Sequence, residues 1–195
     1  MSQGVDIAAI DGTTPAEAEA ALAPLFEGAP AFLGRVVAAR PFGSWAHLFE
    51  QARAVAHAMP EREQVELIDA HPRLGAAPAS VSAMSYREQG YDREPPRPAQ
   101  EVAAELARLN DAYEARFGFR YCIFVAGRPR EALLPEMAAA LSADRATELH
   151  RALDAVVDIA QDRQRSRASA TPTPAAPGRS PAPAGPTAAV PRSSR

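Results

Sequence analysis

Only one stretch of this chain, FRYCIFVAG at 119–127, is composed like a β-strand, rich in aromatic and β-branched residues. A strand needs a neighbour to take its backbone N–H and C=O groups, and no second run of that strength is present. The run is therefore either a lone strand or an extended segment buried between helices. The spacing of apolar residues elsewhere predicts an all-α, single-domain helical bundle, with one extended segment near 119–126 buried between helices.

Local signals set the helices. Thr14-Pro15-Ala16-Glu17 is a capping box with proline at the first helical position, and Ala18, Leu22, Leu25 and Phe26 should face inward. PAFLGRVVAARPF gives a short helix stopped before Pro41. Ser44 should cap a helix with Trp45, Leu48, Phe49, Ala52, Val55 and Ala56 on one face. PEREQVELIDA must end by His71, because Pro72 disfavours helical geometry in the residue before it. The proline-bearing span 72–97 reads as a long irregular connection around VSAMSYREQG. PAQEVAAELARLNDAYEARFG is the strongest helix, with Val102, Leu106, Leu109 and Tyr113 inward and Gly118 just past its end. Two more helices follow, the last with Ser142 as its cap and Leu149, Leu153, Val156 and Ala160 as its core stripe.

Both ends fall outside this pattern. Residues 1–12 read as a flexible N-terminus, 13–166 as the domain and 167–195 as a disordered tail rich in Pro, Ala, Ser, Gly and Thr. The tail carries four of the 21 basic residues and none of the 24 acidic ones, which leaves 17 against 24, or −7, for the rest. An acidic body argues against nucleic acid as partner. Cys122 is alone, so no internal disulfide forms. No signal peptide and no membrane-spanning apolar run is visible. A cytoplasmic protein is expected.

Few residues have chemical promise. His71 stands at a helix end fixed by Pro72, where the dipole favours imidazolium; the same position suits an ordinary helix cap. Ser85, Glu88 and Gln89 share a face at i, i+3 and i+4. They form either a solvated turn or a hydroxyl, carboxylate and amide set able to bind a urea or hydantoin. A carboxylate near His71 would favour imidazolium further. His47, His57 and His150 lack partners at metal-ligand spacing, so no metal is expected. Cys122 reads as an inert core thiol. Asn110 interrupts a strong helix and faces solvent, a loop or a ligand.

DAHPRLG, SYREQG and LNDAYEARFGFRYCIFVAGRP together resemble the signature segments of the 2-oxo-4-hydroxy-4-carboxy-5-ureidoimidazoline (OHCU) decarboxylase family. RPFGSWAHLFEQA adds to the likeness, which spans about 13–165. The resemblance implies a carboxy-lyase that forms (S)-allantoin in urate degradation, with no metal or organic cofactor, acting on a small ureidoimidazoline as a homodimer. It implies catalytic roles for His71 and Glu88, with Glu88 orienting the histidine. It implies substrate contacts from Pro72, Ser85, Gln89, Phe119, Tyr121, Ile123 and Arg163, the last binding substrate oxygens. Two positions depart from the family. Arg73 stands where an acid is common, and Arg120 replaces a proline. Both would add positive charge near the pocket, which leaves room for a related decarboxylase or hydrolase acting on another ureido or hydantoin compound. A non-enzymatic helical scaffold is the remaining alternative.

Overall fold

A computed structural model describes residues 6–76, 81–89 and 99–169. Among these residues it is all helical: α1 (Ile7–Gly12), α2 (Pro15–Leu22), α3 (Pro30–Ala38), α4 (Trp45–Ala58), α5 (Glu61–Asp69), α6 (Ala83–Glu88), α7 (Ala99–Phe117), α8 (Leu134–Ala140) and α9 (Arg145–Ser169). Short 3₁₀ turns occupy Ala23–Leu25 and Arg130–Leu133. Residues 119–125 run extended, and no strand occurs among the described residues. No described helix is long and apolar enough to cross a membrane.

The caps follow from the sequence with one exception. Thr14 and Glu17 form the reciprocal box, and Ser44 accepts from the His47 amide at 3.1 Å. Ser142 does not cap α9. Its own amide donates to Ala139 at the end of α8, and the cap is Asp144, which accepts from the Thr147 amide at 2.9 Å. Asp144 is the residue immediately before the first helical turn, and its carboxylate suits the positive helix end better than a hydroxyl does.

α9 runs along α4 and α5, while α3 packs on α2, α4 and α5. The inward residues named for α2, α7 and α9 are buried, apart from Val102, which packs at the margin. Trp45 and Val55 on α4 also sit at the margin.

Both domain limits shift. The N-terminal dozen is not wholly outside the fold: α1 forms, and Ile10 is 1% exposed. The Asp11 carboxylate accepts from the amides of Phe42 and Gly43, each at 2.8 Å, and Arg40 donates to the carbonyls of Ile10 and Thr13. Six residues are too few for helical periodicity to register, and a helix that short depends on tertiary contacts. At the other end α9 continues to Ser169, beyond the expected limit at 166. Residues 170–195, most of the expected tail, lie outside the described residues.

Candidate active site

His71 follows the last turn of α5. Its amide donates to Ile68 at 3.1 Å, and its Nδ1 lies 3.2 Å from the Leu67 carbonyl. A carbonyl only accepts, so Nδ1 carries the hydrogen and Nε2 keeps a lone pair. Nε2 is buried without a hydrogen-bond partner among the described residues. His71 lies on the wall of a cavity of about 650 Å³ formed by the 71–74 loop, α6, the extended segment 121–127 and the last third of α9.

The helix-end argument predicts imidazolium here, and the structure reverses it. Burial, then the neighbouring Arg163 guanidinium, push the His71 pKa down to about 4, against a smaller upward pull from Glu27. At 4% exposure the loss of water outweighs the dipole. The folded pKa lies below the ordinary value of about 6.5. Protonation therefore favours the unfolded chain, and this contribution to stability falls as pH drops from about 6.5 to about 4, by up to about 3 kcal/mol.

Glu88 does not pair with His71. It accepts from Arg163 in a two-pronged contact, Nε to Oε1 at 2.6 Å and Nη2 to Oε2 at 2.8 Å. Arg163 Nη2 also donates to Glu27 Oε1 at 2.7 Å and lies 3.1 Å from Ser85 Oγ. Nη1 donates to the carbonyls of Pro24 and Leu25. The guanidinium side chain is 1% exposed. Its donors are thus held by protein acceptors, where substrate oxygens were expected. Burial lowers the Arg163 pKa, but Glu88 and Glu27 more than offset it.

Glu27 is the member of this site that sequence reading missed. Its Oε1 accepts from Ser85 Oγ at 2.7 Å and Ser82 Oγ at 3.0 Å as well as from Arg163. Burial works against its ionisation, yet the Ser85 hydroxyl and Arg163 hold its pKa below the ordinary value. The chain turns sharply here, with φ of +52° at Glu27 and +79° at Gly28. One signal was available: Glu27 is the only charged residue in ALAPLFEGAPAFLG.

The other expected residues divide. Pro72, Ser85, Gln89, Tyr121 and Ile123 line the cavity with His71, Glu88 and Arg163. Phe119 does not. It is buried in the aromatic cluster with Tyr113 and Phe117, ring centroids 5.8 and 6.0 Å away. Alternation along an extended chain cannot tell which of two apolar neighbours is buried on which side. Gln89 uses its amide on the 73–75 loop, accepting from the Gly75 amide at 2.8 Å and donating to the Arg73 carbonyl at 3.2 Å. Asn110 bonds a loop, donating to the Leu74 carbonyl at 2.9 Å. Cys122 is buried on the wall, and burial pushes its pKa up to about 12, so it stays a thiol. No cluster of three or more His, Cys, Asp or Glu able to hold a metal occurs among the described residues.

The two departing arginines do not reach into the cavity. Arg73 grips Glu114 and Asp111 on α7. Arg120 Nη1 donates to the carbonyls of Asp69 at 2.6 Å and His71 at 2.9 Å, tying the extended segment to the histidine loop. The expected added charge is spent on structure. The backbone N–H groups of 121–125 find no acceptor among the described residues.

Gly75 permits the loop. Its φ is +80°, and a Cβ there would lie 2.8 Å from Leu106 Cδ1. Gly75→Ala is expected to cost about 1–3 kcal/mol by chemical denaturation, since strain and overlap act together.

The profile of the OHCU decarboxylase family matches residues 12–165. The uric acid degradation bifunctional protein PucL of Bacillus subtilis is 32% identical over 142 residues, which are 73% of this chain and 28% of that protein. The chain thus spans little more than a quarter of that relative. The 2-oxo-4-hydroxy-4-carboxy-5-ureidoimidazoline decarboxylase of Haloferax volcanii is 27% identical over 149 residues, 76% of this chain and 88% of that one. A crystal structure of OHCU decarboxylase in the presence of (S)-allantoin has the same fold, with a TM-score of 0.59 at 20% identity over 73% of this chain and 93% of that one. An (S)-allantoin synthase structure superposes with a TM-score of 0.60 at 18% identity, over 84% and 54%. With a family match covering most of its length and the same fold around the cavity, the chain belongs to the OHCU decarboxylase family.

Proposed function

We propose that this chain decarboxylates OHCU to (S)-allantoin in urate degradation, without a cofactor, with His71 as the residue that takes a proton from the substrate. One observation carries the reading within this family: a buried imidazole, its pKa pushed down to about 4, that lines the cavity and whose Nε2 has no hydrogen-bond partner among the described residues. Homodimeric assembly and cytoplasmic residence belong to the same reading and rest on the family resemblance.

The chemistry can be balanced from the substrate's structure. C2 is a carbonyl carbon, and C4 bears the hydroxyl, the carboxylate and four single bonds. The ring double bond of the imidazoline therefore joins C5 to N1. When CO₂ leaves, the C4–carboxylate electron pair becomes a C4=C5 bond and the C5=N1 pair moves to N1, which takes a proton from solvent. The enol at C4 then collapses to a carbonyl. His71 Nε2 takes the hydroxyl proton and returns it to one face of C5, while N1 keeps the proton it took from solvent, so the net change is one proton consumed and one CO₂ released. Backbone N–H groups at 121–125 supply fixed donors for the atoms that gain negative charge. Glu88, Glu27 and Ser85 act through Arg163 by locking α6, α9 and the 24–27 turn around the cavity. Facial delivery to C5 sets the S configuration.

The test is freshly prepared OHCU mixed with the protein while the circular dichroism of allantoin is followed. Accelerated appearance of one enantiomer is expected; allantoin forming at the rate and racemic composition of buffer alone refutes the reading. The same assay gives a pH profile. A proton acceptor must be unprotonated, so kcat/KM should hold on descending through pH 6 and fall only near pH 4. An acid limb at about 6.5 would mean that His71 is not buried as described.

A further inference from the structure

The extended segment 119–125 has no strand beside it among the described residues, so no ladder fixes the tilt of its peptide planes. Side chains set it instead. At Cys122 the side chain is that of Arg151 on α9, whose Nη1 donates to the Cys122 carbonyl at 2.8 Å. The same guanidinium lies over the Tyr121 ring, 4.7 Å from its centroid. Arg151 is itself pinned. Its Nε donates to Glu148 Oε2 at 2.9 Å, and that oxygen also accepts from the Tyr113 hydroxyl at 2.7 Å. Glu148 is buried, so Arg151 cannot swing away without stripping a buried carboxylate of its counter-charge.

We propose that Arg151 is a positioning residue that aims the Ile123 N–H into the cavity. The Cys122 carbonyl and the Ile123 N–H belong to one trans peptide, and in a planar trans unit they point in opposite directions. Arg151 takes the carbonyl from behind the wall. Tyr121, Cys122 and Ile123 line the cavity, whereas Arg151 stands about two turns before Ile159, where α9 first joins the lining. The N–H at the other end of the unit therefore faces inward, and it has no acceptor among the described residues. As a donor to atoms that gain charge while CO₂ leaves, it counts most in the transition state. Without Arg151 the donor is still present, but its direction is no longer set in advance.

This inference rests on the decarboxylase reading of the cavity. Arg151→Met keeps an apolar stem against Tyr121 and removes the donor to Cys122. It should lower kcat about 10- to 100-fold and leave KM for OHCU within about threefold, the pattern for an interaction made chiefly in the transition state. The acid limb of kcat/KM should stay near pH 4, because the groups that set the His71 pKa are unchanged. Arg151→Lys keeps the charge beside Glu148, but one ammonium cannot serve that carboxylate and the Cys122 carbonyl in the same geometry, so kcat should fall about 3- to 10-fold. Arg145→Met is the matched control. Arg145 Nε donates to the Phe117 carbonyl at 2.8 Å, and its guanidinium lies 5.5 Å from the Phe119 ring centroid. These are the same two kinds of contact from the same helix, made to residues that do not line the cavity. Their loss should lower stability in urea and leave kcat as it is. An unchanged kcat in folded Arg151→Met overturns the proposal while wild-type turnover keeps the function standing; if Arg151→Met does not fold, an unchanged kcat in Arg151→Lys overturns it. A rise in KM at constant kcat overturns it too. So does an equal fall of kcat in Arg145→Met, which reduces the effect to a loosened α9. Absence of OHCU turnover in the wild type removes both the function and this inference.

Discussion

His71→Ala is expected to lower kcat by about 10²–10⁴-fold, the range for loss of a positioned proton acceptor. Allantoin should then form near the uncatalysed rate and lose its circular dichroism signal, since no group remains to couple proton removal to one face of C5. The fold should survive. The imidazole is neutral and, among the described residues, its only side-chain bond is to the Leu67 carbonyl, so truncation exposes one acceptor and a small void. The acid-induced loss of stability between about pH 6.5 and 4 should shrink in the same variant, because the group that must be protonated on unfolding is gone. A His71→Ala enzyme that keeps full rate and S-selectivity would leave the cavity's histidine without a role in the reaction.

Arg163→Met is expected to destabilise the protein by about 3–5 kcal/mol, the cost of leaving buried charge without its partner. The arginine is buried to 2% exposure, and its removal leaves the carboxylates of Glu27 and Glu88 facing each other around an apolar side chain. The pH dependence of the loss gives the sign. Without the guanidinium, Glu27 loses one of the partners that hold its pKa down, and burial pushes it up. The deficit should therefore be largest near neutral pH and shrink as acid protonates Glu27. Urea titrations at pH 5 and pH 7.5 measure it. Arg163→Lys should recover only part, because an ammonium cannot match a two-pronged carboxylate contact and two backbone carbonyls together. Equal stability in wild type and Arg163→Met at pH 7.5 would contradict the buried charge network.

The arginine network also shows why some of the site was legible and some was not. His71, Ser85, Glu88 and Gln89 lie in two short segments whose spacing and resemblance mark them, and all four reach one cavity. Their pairings were not legible. Glu88 was expected beside His71, but its partner comes from α9, 75 residues away, and Glu27 joins from 136 residues away. No local pattern encodes contacts of that range. Arg73 and Arg120 misled in the other direction. Their charge looked available for a ligand, yet α7 supplies two acids to one, and the open carbonyls at the end of α5 take the other.

What the sequence determined by itself was every term that acts within a few residues. The capping box at Thr14, the stop at Pro72, the apolar stripes of α7 and α9 and the lone extended run at 119–126 each follow from local sterics, hydrogen-bond capacity and periodicity. Those terms are enough for an all-helical fold with a histidine at one break. Tertiary structure alone decided the protonation state of that histidine, the partners of its neighbours and the folding of Ile7–Gly12. Each of these is a balance between loss of water and contacts made far along the chain. Burial reversed the helix-end preference at His71 because desolvating a charge costs more than a helix terminus returns.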